Sequence, residues 1–376
     1  MSPLLCDPDQ RALLAAFGAA LDRGSAVAVL DPTWPSALRT RAAAAVEKAL
    51  RDGRLAPGRV ALFTSGSSGA PRAVIRTHAS WRASVEPLGA MSGVGPGDTV
   101  WTPGPLWSTL SLYAAWHAEV VGAGVLLGAD DPRLATIVHC VPAQLPALLR
   151  LGRDGALPRL ATVVLAGDRV GPDAVQQCAA SGWRLHEYYG AAELSFVGWA
   201  SDGDALQPFP GAEVEIRSDV LWARSPYLAL GYLDRAEPGA LRTDPHGWAT
   251  VGDRARTSTA GFTVLGRGTG AISTGGHTVL VQEVESTLLT VPGLEEVVVV
   301  GYPDPRLGAV VTALVVGTVD PRHVREAVAA LPAAARPRRW AMLTAQALPR
   351  TSAGKVDRGA AQARVVDGSI RTGALR

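Results

Sequence analysis

The chain has 376 residues, a formal net charge of +2 and 47% hydrophobic residues. That is long enough for one large core plus a smaller lobe and too apolar for a disordered chain. Near-neutrality argues against a nucleic-acid surface, and no apolar run approaches the roughly 20 residues needed to span a bilayer. The opening MSPLLCDPDQ shows no basic stretch followed by an apolar one, so neither a secretory leader nor a membrane partner is expected. Cys6, Cys140 and Cys178 are widely spaced, form no metal-ligand pattern, and suit a reducing cytoplasm.

Residues 10–22 and 36–52 read as amphipathic helices, with SAVAVLDP between them as a strand ending in a turn. RVALFT (59–64) and AVIRT (73–77) read as strands. From 98 to 200, short apolar strands (TIVHCV, ATVVLAG) alternate with helix-like segments (AQLPALLRL, PDAVQQCAAS), an α/β pattern. From about 212, AEVEIRS, VLWARS, WATVGDRARTS and GFTVLG read as the short strands of a β-rich subdomain. After GRGTG, the order helix (VQEVESTLLTV), strand (LEEVVVVGYP), strand (AVVTALVVG), helix (RHVREAVAAL), strand (RWAMLTA) describes a small α+β lobe. The expected division is 1–267 and 268–376. There is no internal repeat, and the Ala/Gly-rich tail after Arg358 reads as partly helical or frayed.

The 36 basic residues comprise 34 Arg and two Lys, Lys48 and Lys355. A Lys kept against such a preference points to a need for its compact, mobile ammonium. Lys48 lies in the Ala-rich helical stretch RAAAAVEKALRDG and reads as a solvated surface residue. Lys355, in PRTSAGKVDR, needs another explanation.

The Ser/Gly stretch FTSGSSGAPR (63–72) lies between two strands, which argues against a flexible linker. It lacks the GK[ST] of a Walker loop and is followed by a strand where that loop opens a helix. The remaining reading is a hydroxyl-rich loop whose Ser/Thr side chains and amides wrap polyphosphate oxygens. TSGSSGAPR (64–72), YYGAAE (188–193), VGD (251–253), GR (266–267) and PRTSAGK (349–355) then follow in that order. The arrangement resembles the adenylate-forming (ANL) superfamily of acyl-CoA synthetases, peptide-synthetase adenylation domains and luciferases, over nearly the whole chain. LDPTWP (30–35) also looks like an early motif of that family. VLGRGTGAISTGGHTVLVQEVE (264–285) looks most like the short o-succinylbenzoate–CoA ligases of menaquinone synthesis. Only about 60 residues precede the Ser/Gly loop, fewer than the family usually has, so the N-terminal part looks abbreviated.

The resemblance implies an ANL fold: a large α/β domain with a β-rich subdomain and a mobile C-terminal lobe. It implies ATP and Mg²⁺ as cofactors, a small carboxylic acid as substrate, CoA or a carrier-protein phosphopantetheine as acceptor, and a dimer as a common assembly. By the same resemblance Thr64, Ser65, Gly66, Ser67, Ser68, Gly69 and Arg72 hold the β- and γ-phosphates. Gly167, Asp168, Tyr188, Tyr189 and Gly190 line the nucleotide, with Tyr189 stacked on adenine. Glu193 ligates Mg²⁺, Asp253 binds both ribose hydroxyls, and Arg267 reaches the ribose or phosphate. Lys355 bridges the attacking carboxylate and the α-phosphate, which accounts for its survival as Lys. Thr269, Gly275 and Gly276 belong to the hinge and thiol tunnel. The acid pocket draws on Trp107, Ser108, His139 and Ala166, with Trp116 and His117 as further candidates. Without the motifs, Tyr189 would read as a core aromatic, Glu193 as a surface acid, Asp253 as a turn residue and Arg267 as a boundary surface residue.

Three positions depart from the family pattern. Ala192 stands where a hydroxyl residue usually precedes the motif Glu, a loss of about 1 kcal/mol of polar contact. Thr269 replaces the usual hinge Asp or Lys. Ser108 replaces a His in the acid gate, which leaves o-succinylbenzoate in question as the acid. The expected activity is adenylation followed by thioester formation. The alternatives are transfer to a carrier-protein thiol, an amine or another small nucleophile, and a non-catalytic nucleotide-binding homologue.

Overall fold

The computed structural model describes residues 3–64, 72–166, 172–234, 241–267, 270–274, 277–351 and 354–375. The first helix, Gln10–Asp22, is opened by Asp9, whose carboxylate accepts from the amides of Arg11 (3.0 Å) and Ala12 (3.3 Å). Those bonds satisfy two of the donors that a helix start leaves bare. Leu13, Leu14, Phe17, Ala20 and Leu21 recur at helical spacing and are all buried. The helix Ser36–Arg51 buries Ala42, Val46 and Ala49, and its exposed Lys48 pairs with Asp52.

Among the described residues the strands form four sheets. In the first, Leu4–Leu5, Val27–Val29 and Arg59–Thr64 run parallel. Arg72–Thr77 returns antiparallel, with Arg72 opposite Thr64, and Gly231–Tyr232 pairs with its far side. The Ser/Gly stretch therefore does connect two adjacent strands.

The second sheet runs Gly124–Leu127, Thr99–Thr102, Ile137–Cys140, Thr162–Ala166 and Arg184–Ala191 in parallel, then Ser195–Ser201 and Gln207–Pro208 antiparallel. Its central strands are apolar on both faces because both faces are covered. Ile137 and Val164 join a core with Phe17, Trp81, Tyr113 and Trp116. Val138, Cys140, Val163 and Leu165 pack on the other side against Leu145, Leu148 and Leu149. Cys178 shares that second layer, and burial pushes its thiol up to about 12 and that of Cys140 further still.

Three histidines interrupt the first face. The register puts His139 and His186 on either side of Val164. His117 comes from the helix Thr109–Val120, with Nε2 2.9 Å from the Val85 carbonyl. His186 Nδ1 lies 2.8 Å from Ser201 Oγ. Burial pushes His139 down to about 3, and His117 and His186 reinforce this by like-charge repulsion. Both neighbours are themselves pushed down by burial.

The third sheet orders Arg242–Thr243, Ala249–Thr250, Val220–Arg224, Asp253–Ser258 and Gly261–Arg267, with Glu213–Arg217 paired to Val220–Arg224. The fourth begins at Ala271–Thr274 and contains the long hairpin Leu294–Asp304 with Gly308–Gly317. Two carboxylates on this lobe are buried and bound by arginine. Glu285 accepts from Arg358 Nη2 at 2.6 and 2.7 Å and from the Val299 amide at 2.7 Å. Glu296 accepts from Arg350 Nη2 at 2.8 Å on both oxygens. The tail after Arg358 opens as the helix Arg358–Val366, capped by Asp357, and continues without helix to residue 375. No helix among the described residues is long and apolar enough to cross a membrane.

The histidine cluster sets an acid limit. Each group is neutral in the folded chain and gains a proton on unfolding once the pH falls below the ordinary histidine value. The stability His139 contributes is therefore complete above about pH 6.5 and is lost as the pH falls from there toward about 3, at up to about 1.4 kcal/mol per pH unit, and His117 and His186 act in the same direction. Urea unfolding at pH 7.5 and 5.0 should show this loss, and His139→Gln should make the slope shallower. Glu296→Gln should cost about 2 kcal/mol by leaving the Arg350 guanidinium without its anion, read as a lowered urea midpoint of the lobe.

Candidate active site at the carboxyl edge of the parallel sheet

Parallel strands end together. Cys140 is level with Leu165, Leu165 with Glu187, and Ala166 with Tyr188. Their carboxyl ends therefore form one edge, the place where open α/β sheets hold ligands. Four sequence segments converge on that edge.

The first is the turn after Arg184–Ala191. Gly190 is opposite Phe196, and a Cβ built on it would lie 2.1 Å from the Ser195 carbonyl oxygen. Only glycine fits there. The chain then turns through Ala191–Leu194, closed by the Leu194 amide on the Ala191 carbonyl at 3.0 Å, and Ser195 takes a φ of 60°. Left-handed backbone at a serine is strained, and strain of this kind is retained where surrounding contacts over-determine it. The turn carries Glu193, which is 7% exposed despite its charge. Its Oε1 accepts from the Tyr232 hydroxyl at 2.7 Å, and its main-chain carbonyl accepts from the Ala229 amide at 2.9 Å.

The second segment is TVGD. The buried Thr250 donates from Oγ1 to the Leu221 carbonyl at 2.6 Å and accepts from the Gly252 amide at 3.0 Å. With Gly252 at a φ of 82°, this turn starts the next strand at Asp253. Asp253 is directly opposite Arg267. Its Oδ2 accepts from the Tyr189 hydroxyl at 2.5 Å. The expected adenine neighbour and ribose acid are thus brought together from positions 64 residues apart, with the backbone of the boundary arginine opposite the acid.

The third is the strand Arg72–Thr77 at the exit of the Ser/Gly stretch, linked to the edge through its partner Gly231–Tyr232, whose tyrosine donates to Glu193. The fourth is PRTSAGK. It forms a small hairpin closed by the Thr351 amide on the Lys355 carbonyl (2.8 Å) and the Asp357 amide on the Pro349 carbonyl (2.8 Å). A Cβ built on Gly354 would lie 3.9 Å from Val141 Cγ2, which puts the hairpin against the end of the strand Ile137–Cys140. Lys355 is the exposed residue next to that contact.

Ser65, Gly66, Ser67, Ser68, Gly69, Gly167, Asp168, Thr269, Gly275 and Gly276 lie outside the described residues. Of Thr64 and Arg267 only the backbone is described. Tyr188 packs between Phe196 and Trp199, with centroids at 4.7 and 6.3 Å, and burial pushes its hydroxyl up. Ala166 ends its strand at the edge. Trp107 packs on the main core, and Ser108 stands immediately before the helix Thr109–Val120. His139 is 3% exposed within the sheet, while Trp116 and His117 are buried in the helix that covers it. Tyr232 is the site residue that sequence reasoning missed. Its only signal was a GY pair three residues after a Glu193 contact at Ala229, and that contact exists only in three dimensions.

The pattern of the AMP-binding enzyme family matches residues 7–233, and that of its C-terminal domain matches residues 283–355. An uncharacterized acyl–CoA ligase of Bacillus subtilis is 30% identical over 329 residues, covering 79% of this chain and 66% of its own length. A probable 2-succinylbenzoate–CoA ligase of Mycobacterium tuberculosis is 33% identical over 346 residues, covering 83% and 86%. Among solved structures, a variant of Escherichia coli MenE with bound OSB-AMS superposes over 97% of this chain and 87% of its own, with a TM-score of 0.78 at 23% identity. The chain is a member of the AMP-binding enzyme family, with the large domain and small C-terminal domain of adenylate-forming ligases.

Proposed function

We infer that the chain is an ATP-dependent, AMP-forming acid–thiol ligase. A carboxylate oxygen attacks the α-phosphorus of ATP, and the bond to pyrophosphate breaks as the acyl-adenylate forms. The sulfur of CoA then attacks the acyl carbon, AMP leaves, and the thiol proton passes to solvent. The observation that carries this reading is the convergence of Tyr189, Asp253, Glu193 and the Lys355 hairpin on one sheet edge. Family membership and the acyl–CoA ligase names of the relatives support it.

In this reading Asp253 and Arg267 hold the ribose, Tyr189 lies beside the base, and Thr64 to Gly69 with Arg72 hold the outer phosphates. Gly167 and Asp168 complete the nucleotide wall. Lys355 neutralises charge between the carboxylate and the α-phosphate, chemistry that needs positioning more than covalent help. Glu193 suits Mg²⁺. Among the described residues no three metal-ligating side chains cluster, so a cation there would take one carboxylate plus phosphate and water oxygens, as Mg²⁺ does. When bound, the ion would offset polyphosphate charge.

The lobe division is placed at 267/268, with Thr269 in the hinge and Gly275 and Gly276 beside the thiol path. Trp107, Ser108, His139 and Ala166 belong to the acid side of the edge. ATP and CoA as substrates place the enzyme in the cytoplasm. The departures at Ser108 and Thr269 favour one second reading, in which the adenylate passes to a carrier-protein phosphopantetheine, an amine or another small nucleophile.

Pyrophosphate release from ATP and Mg²⁺, with o-succinylbenzoate, benzoates and short acyl acids each tried with and without CoA, tests the reading. Acid-dependent release should fall about 10²–10³-fold in Lys355→Ala. Lys355→Arg should not restore it, because a planar fork does not replace a point charge. AMP formation that requires CoA establishes the ligase, and AMP formation independent of CoA selects the second reading. Acid-dependent release that survives Lys355→Ala would sink the assignment of the lysine.

A further inference from the structure

We propose that Tyr232 is a positioning residue for the Glu193 carboxylate, tying the cation-binding acid to the strand that leaves the phosphate-holding loop. The proposal rests on the functional reading above, in which Glu193 meets the cation.

Tyr232 has one proton to donate and donates it to Glu193 Oε1 at 2.7 Å. Its oxygen accepts in turn from the Leu241 amide at 3.2 Å, which orients the hydroxyl proton toward the carboxylate. A hydroxyl donating to a carboxylate is a charge-assisted bond, stronger than its neutral counterpart. Glutamate has three side-chain torsions, and an acid that must meet an ion at a fixed place loses affinity with each one left free. A tyrosine ring on a paired strand removes that freedom before the ion arrives.

The strand is held along one side by pairing and at both ends by further hydrogen bonds. Tyr232 is opposite Val74 and Gly231 opposite Ile75. The amides of Leu230 and Leu233 donate to the carbonyls of Ile75 (2.8 Å) and Ala73 (2.7 Å). Arg54 Nη2 donates to the Tyr232 carbonyl, and the buried Arg76 donates to that of Tyr227. At the other end, the Ala229 amide holds the Glu193 carbonyl at 2.9 Å. Val74 is two residues after Arg72, the exit of the Ser/Gly loop. Residues 229–233 therefore fix the acid and the loop exit against each other through main chain and through one hydroxyl. A residue serving only to pack would need the ring and not the oxygen.

Tyr232→Phe keeps the ring and removes the oxygen. Calorimetric binding of ATP to the full chain, with no acid present and Mg²⁺ raised stepwise, reads the effect without turnover. The half-saturating Mg²⁺ concentration should rise about tenfold. The thermal midpoint of the nucleotide-free protein should stay within about 2 °C of wild type. Glu193→Gln serves as the reference. If it raises the Mg²⁺ requirement and Tyr232→Phe does not, the positioning role is wrong and the functional reading stands. If neither variant moves it, Glu193 does not meet the cation and both fall. A lowered thermal midpoint with an unchanged Mg²⁺ requirement shows a packing role and also overturns the proposal.

Discussion

The hydrogen bond from Tyr189 to Asp253, 2.5 Å long, is the constraint on which the rest of the site depends. Tyr189 belongs to the parallel sheet and Asp253 to the antiparallel one. The two sheets also share an apolar core, in which Leu194 and Val197 pack with Leu221, Ala223 and Ala255. The bond makes the turn at Glu193 and the turn at Gly252 neighbours. Both turns are narrow in what they accept, since Gly190 has no room for a Cβ and Gly252 takes a positive φ. With glycines setting the path and one charge-assisted bond setting the distance, the edge is formed before any ligand arrives. Pre-formed geometry of this kind lets binding energy act on the reaction and not on ordering the protein.

The Lys355 hairpin follows the opposite logic. Its Gly354 approaches the edge at Val141. Its firm attachments lie within its own lobe. Arg350 is bound by both oxygens of Glu296 and also donates to the Ala345 carbonyl at 3.4 Å. Across the boundary the described contacts are lighter. Arg256 meets Glu283 at 2.9 Å with both side chains substantially exposed, and the Gly293 amide donates to Asp173 at 3.2 Å. An exposed pair contributes about 1 kcal/mol or less, and a partly buried bidentate pair more. Arg350, five residues before the lysine, is thus bound within the lobe by a stronger kind of pair than Arg256–Glu283.

Much of this was legible in the sequence. The helix Gln10–Asp22 was legible from its amphipathic pattern, and the strand pair around the Ser/Gly loop from short apolar runs. The helix Thr109–Val120 was not read as a helix. Ser111 to Ala118 are all buried, so no polar face gives it a period. Glu193 would have passed for a surface acid, because burial of a charge depends on a partner 39 residues away. Tyr232 was invisible for the same reason: its role comes from pairing two short strands separated by more than 150 residues of chain. The buried histidines showed only as residue types, and it is the register around Val164 that gathers them on one face.

The arginine bias of the chain also sorts by place in the fold. Arginine sits where a cation stays put. Arg76, Arg350 and Arg358 each hold carbonyls or carboxylates inside the protein, and Arg72 starts a paired strand at the loop exit. A planar fork with five donors is suited to such fixed partners. Of the two lysines, Lys48 makes an exposed helix pair with Asp52 that an arginine would make as well. Lys355 is the exposed residue beside Gly354, which meets the sheet edge at Val141 from the C-terminal domain. A compact ammonium on a flexible stem can enter a narrow edge and withdraw again, whereas a guanidinium would have to make and break a matched set of hydrogen bonds on each passage.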